Sequence, residues 1–228
     1  MKKIQTFASA AALSFAAIFV AQPAYAVEIM HSMDGHKMDH KMADMAAVYE
    51  TKNILRDLWT GHSFWVRAVV VAHLDGDNRA EKAAEAQVVA NAKMLAGSIK
   101  PFYGAAAEKA LLDLLFEHYG GVKAYLVATK KGKSKGQDKA VENLLANAEK
   151  ISVFLSGANP YLPKEAVLEL YVTHETHHVA QIDALKGKNY AEEADVWMHM
   201  TQHMYVIADA LVDALAKQFP ENFSGANM

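Results

Sequence analysis

Three stretches decide the fold: LWTGHSFWVRAVVVA at 58–72, LLFEHYGGVKAYLVA at 114–128 and LYVTHETHHVAQIDA at 170–184. They repeat at a spacing of 56 residues. Leu58, Leu114 and Leu170 align, as do His62, His118 and His174. Ala68, Ala124 and Ala180 follow, and then Ala72, Ala128 and Ala184. Further on, Asn91, Asn147 and His203 hold the same register, with Leu95, Ile151, Ile207 and Ile99, Leu155, Leu211 behind them. A fixed period of this length marks tandem supersecondary units. Apolar residues recur three and four apart through 49–220, so the units are helical.

The same register locates the turns. The midpoint between His62 and Asn91 falls in Asp75-Gly76-Asp77-Asn78, and that between His118 and Asn147 in Lys131-Gly132-Lys133-Ser134. The third, between His174 and His203, falls in Gly187-Lys188-Asn189. Gly and Asn end helices and make tight turns. The breaks between units are Ile99 to Gly104 and Ser156 to Pro160, each carrying a Pro. The expectation is an all-α, six-helix bundle of three tandem hairpins over 49–220, followed by a short tail at 221–228. The lysines from Lys130 to Lys139 read as a solvated turn.

Ahead of the repeat, Lys2 and Lys3 precede an apolar stretch, and Ala24-Tyr25-Ala26 ends it. This is the pattern of a secretory leader over 1–26. It predicts a periplasmic protein with no membrane segment after cleavage. Cleavage removes two Lys and no acid, so the net charge of −3 becomes −5. That balance offers no footprint for nucleic acid.

The chain has no Cys, 11 His and 11 Met. Any metal must therefore be held without thiolate. Residues 30–45 read MHSMDGHKMDHKMADM, and half are Met or His. With no aromatic residue this segment builds no core, and the tail at 27–48 is expected to be disordered without a ligand. Thioether suits Cu(I), and imidazole suits Cu(II) and Zn(II). His31, Met33, His36, Met38, His40 and Met42 are candidate ligands. His36 to Met42 resembles the Met/His-rich segments of bacterial copper-resistance proteins.

The pattern Trp59-x-x-His62-x-x-Trp65-x-Arg67, with Lys100 to Gly104 and Ala158-Asn159-Pro160, resembles a group of poorly characterised bacterial all-helical proteins, some labelled glycosyltransferases. The resemblance covers most of 50–215. It implies an all-α fold and supplies no activity. No nucleotide-sugar fold or acidic metal motif accompanies it here.

His62 and His118 lie on core faces, and a buried His needs partners. In an antiparallel hairpin, residues equidistant from the turn share a height. The favoured reading pairs His62 with Asn91 and His118 with Asn147; the competing one brings the equivalent His together at a central site. The third unit departs from the others by gaining His178, His199 and His203. His174 with His178, and His199 with His203, are i,i+4 pairs on two antiparallel helices. They form a candidate four-His metal box, or a two- or three-His site completed by a carboxylate or Met, with copper the expected ion and zinc the alternative. The implied function is metal buffering, tolerance or delivery, with metal ions and a periplasmic metal-handling protein as partners. His174-Glu175-Thr176-His177-His178 also matches the H-E-x-x-H pattern of zinc hydrolases. A haem or apolar-ligand module using Trp59, Phe64, Trp65, Tyr125 and Trp197 is the third reading.

Overall fold

The computed structural model describes residues 43–224. Six α-helices follow one another: α1 Met45–Asp75, α2 Asn78–Gly97, α3 Lys100–Lys130, α4 Ser134–Ala158, α5 Lys164–Lys186 and α6 Tyr190–Gln218. A 3₁₀ turn, Pro220–Phe223, closes the described chain. The tail residues His31, Met33, His36, Met38, His40 and Met42 lie outside the described residues. Helix α1 takes in 45–48, which the sequence reading places in the tail. Asp44 caps it by accepting from the Ala46 N–H at 2.8 Å, and Val48 is buried in the core.

The three turns fall at the predicted places and share one geometry. Gly76, Gly132 and Lys188, spaced by 56, all have positive φ, of 82°, 63° and 57°. After each, the next N–H bonds back five residues: Asp77 to Ala72 at 3.0 Å, Lys133 to Ala128 at 2.9 Å and Asn189 to Ala184 at 2.9 Å. This is a Schellman C-cap used three times. Asp77 then caps α2, and Asn189 caps α6. The break predicted at 99–104 is a kink: Pro101 sits in the first turn of α3, and Gly104 leaves helical geometry at φ 80°.

The helices pack as a closed ring. Each touches its predecessor and successor, and α6 returns to α1. Three ion pairs hold that last seam: Lys52–Asp213, Arg56–Asp209 and Arg67–Glu193. Inside the ring, α5 packs on both α1 and α3. The odd-numbered helices present equivalent residues in buried layers. Leu55, Leu111 and Val167 form one; Trp59, Leu115 and Tyr171 the next; His62, His118 and His174 the third. Val66, Val122 and His178 follow, then Val70, Leu126 and Ile182. The layers imply a pseudo-threefold axis. Burying each of these large apolar side chains stabilises the fold by about 1.5–3 kcal/mol.

Among the described residues, no helix is long and apolar enough to cross a membrane.

Candidate metal centre

The axial layers fix what the histidines do. A residue repeated at equivalent positions near a threefold axis meets its own copies. His62, His118 and His174 therefore converge, and the reading that kept His62 and His118 within their own hairpins is overturned. His178, one turn below His174 on α5, replaces the valine of the other two units and joins them. One nitrogen from each of the four lies within 4.8 Å of the others. Ring centroids are 5.5 Å apart for His62–His174, 5.3 Å for His118–His174 and 4.4 Å for His174–His178.

Asn91 and Asn147 serve a different partner. Asn91 Nδ2 donates to the Leu58 carbonyl at 2.9 Å, and Asn147 Nδ2 to the Leu114 carbonyl at 3.1 Å. His203 Nε2 donates to the Leu170 carbonyl at 2.8 Å. All three bonds join the two helices of one hairpin at the same register. They pin each hairpin and leave the central imidazoles without those partners.

The result is a layer of buried imidazoles with most of their nitrogens unpartnered among the described residues. His62 Nε2, His118 Nδ1 and Nε2, His174 Nδ1 and His178 Nδ1 have no hydrogen-bond partner among the described residues. His174 Nε2 and His178 Nε2 face each other at 3.1 Å. Burial pushes all four pKa values down, His62 to about 3 and His118 to about 4. The four are therefore neutral at pH 7, the state that binds metal. Each orphaned polar atom costs about 1–3 kcal/mol unless something satisfies it. Tetrahedral zinc bound at about 2.0–2.1 Å sets nitrogen pairs about 3.3 Å apart. The four-His group can hold a metal ion.

Glu175 is the acidic side chain beside His118. It is buried, both its oxygens lack hydrogen-bond partners among the described residues, and Oε1 lies 3.7 Å from His118 Nδ1. Burial raises its pKa to about 9, so it carries a proton at pH 7. A cation bound through His118 Nε2 would favour the carboxylate and let His118 Nδ1–H donate to it, the outer-shell arrangement typical of metal-binding His.

The remaining predicted ligands lie elsewhere. His203 is buried but committed to Leu170, and His199 is on the exposed surface of α6. The box of His174, His178, His199 and His203 is thus replaced by one that takes His62 and His118 from α1 and α3. Shared height on a hairpin does not set the direction of a side chain around its helix. Met200 and Met204 are fully buried in the hydrophobic core, whereas Met198 is exposed. The ligand set is imidazole alone.

The neighbouring layer closes the site. Trp59 meets both His62 and His174 edge-on, at 6.0 and 5.9 Å. Beyond Trp59, Leu115 and Tyr171 lies an apolar axial cavity of about 40 Å³. That space is far below the few hundred Å³ of a cofactor pocket. Of the aromatics expected to hold haem, only Trp59 lines this cavity; Tyr125 is a core residue, and the half-exposed Phe64 packs on Trp65 with ring centroids 4.9 Å apart.

The two inter-hairpin breaks meet at one end of the bundle. Tyr103 Oη donates to Gln218 Oε1 at 2.7 Å and accepts from Asn159 Nδ2 at 3.1 Å. These residues tie the two inter-hairpin breaks to the end of α6.

No protein-family model, curated protein or solved structure matches the chain.

Proposed function

We propose that this chain is an exported metal-binding protein that holds one borderline ion, most simply copper, at the four-His centre and serves metal buffering, tolerance or delivery in the periplasm. The observation that carries the reading is the buried layer of His62, His118, His174 and His178, whose nitrogens converge and include five without a partner among the described residues. Imidazole-only sites suit Cu(II), Zn(II) and Ni(II). The Met/His segment at 30–45 supports copper, because thioether adds affinity for Cu(I). The leader at 1–26 supports the compartment. In this reading the tail captures ions and the bundle stores one.

Four protein ligands speak for storage over hydrolysis, since catalytic zinc keeps an open position. The H-E-x-x-H match is absorbed accordingly: His174 and His178 are ligands, and Glu175 faces His118.

The test is titration of the mature chain, of a version lacking 27–43 and of His62→Ala with Cu(I), Cu(II) and Zn(II). One tight ion should persist without the tail and vanish in His62→Ala. Binding no tighter than micromolar in the mature chain overturns the proposal. Peptide hydrolysis by the zinc-loaded chain, lost in Glu175→Gln, would favour the hydrolase.

A further inference from the structure

A site with all four ligands buried needs a route for its ion. Two of the hairpins offer apolar or amide residues around it. The third differs at the positions leading outward from His174 and His178. Where α1 and α3 carry Trp65 and Gly121, α5 carries His177. Where α2 and α4 carry Gln87 and Asn143, α6 carries His199, and at the Asn91 and Asn147 position it carries His203.

At position 203 the fold needs the interhelical bond but not an imidazole. Asn91 and Asn147 make the interhelical bond that His203 makes, so an imidazole there is surplus to that task. Because His203 donates through Nε2, its Nδ1 keeps a lone pair. His177 Nδ1 is buried with no partner among the described residues. The rings of His177 and His203 are 5.4 Å apart. His199 lies one turn from His203, and His177 lies one turn from His174, so successive members share faces. The two ends of the series differ in exposure: His199 is exposed, His174 and His178 are 1% exposed, and His203 at 7% and the partly buried His177 lie between them.

We propose that His199, His203 and His177 form a transfer path by which a metal ion passes between solvent and the four-His centre through the third hairpin. The proposal rests on the four-His reading and adds a direction to it. Each step exchanges one imidazole nitrogen for another on the ion, with no redox change.

The experiment compares the mature chain with a triple variant, His177→Gln, His199→Gln and His203→Asn. Two of these restore the residue types of the other units, and circular dichroism checks the fold. Copper(II) and zinc(II) loading of the metal-free chains is followed by stopped-flow quenching or perturbation of Trp59 fluorescence, and release by adding a strong chelator. The triple variant should keep the affinity of the central site within about threefold and lose at least tenfold in both loading and release rates. Unchanged rates overturn the path, as does loss of a whole tightly bound equivalent, which would make the three residues a second site. If the unsubstituted chain binds no ion in the bundle, the four-His reading falls with it. If it binds one and only the rates fail to respond, the central site stands and the path alone falls.

Discussion

Among single residues, His178 has the clearest counterfactual. Its equivalents are Val66 and Val122, both buried in the same layer. His178→Val should therefore fold normally while removing one of four ligands. A loss of at least tenfold in metal affinity is expected, measured by competition with a chromophoric chelator. Titration supplies a second prediction. His62, His118, His174, His177, His178 and His203 all have lowered folded-state pKa values, against 6.5 for the ordinary side chain. Below pH 6.5 the unfolded chain takes up more protons, so metal-free stability falls as pH drops. Glu175 has the opposite sign. Its pKa rises from 4.5 to about 9, so the folded state holds the extra proton in that window and stability falls as pH rises. Six histidines outweigh one carboxyl in acid, and above pH 6.5 Glu175 acts without them. Urea denaturation in chelator should place the optimum near pH 6.5–7, and Glu175→Gln should remove the alkaline decline due to this group. The identity of these residues was legible in the sequence, but their grouping was not. The 56-residue period places His62, His118 and His174 at one height, whereas convergence depends on how the hairpins turn towards each other. The substitution of valine by His178 was visible in the register and becomes meaningful once position 66 is known to face the axis.

At the scale of the element, the hairpin was almost wholly legible, because its determinants are local. Gly76 and Gly132 supply the left-handed residue of the cap, and Asp77 and Asn189 start the following helices. Lys188 is the exception, a side chain held at φ 57° where the other units have glycine. Lys188→Gly should gain about 0.5–1 kcal/mol, the relief of left-handed strain less the added freedom of glycine when unfolded. Denaturant titration checks this. The interhelical pin is equally specific. Asn147→Ala should cost about 1 kcal/mol, whereas Asn147→His should be better tolerated, because His203 makes the same bond in the third hairpin. The kink at Gly104 was harder to read: Pro101 and Gly104 announce a break, and only the packed helix shows the chain continuing through it.

For the whole molecule, the proposed ion would join all three hairpins at a point, since its ligands come from α1, α3 and α5. Saturation at about 100 times Kd adds about 2.7 kcal/mol. For a bundle of this size that is about 5–10 °C in Tm, which chelation should remove. Ring closure has another consequence. The first and last helices meet along a seam, and the Asp44 N–H donates to the Phe223 carbonyl at 2.9 Å. The two ends of the described chain are therefore neighbours, and no hairpin is structurally first. The order of the units is then a property of the polypeptide's covalent path and not of its packing. A circular permutant that links 224 to 44 through a short linker and opens between Asn159 and Pro163 should fold to the same ring and present the same four imidazoles.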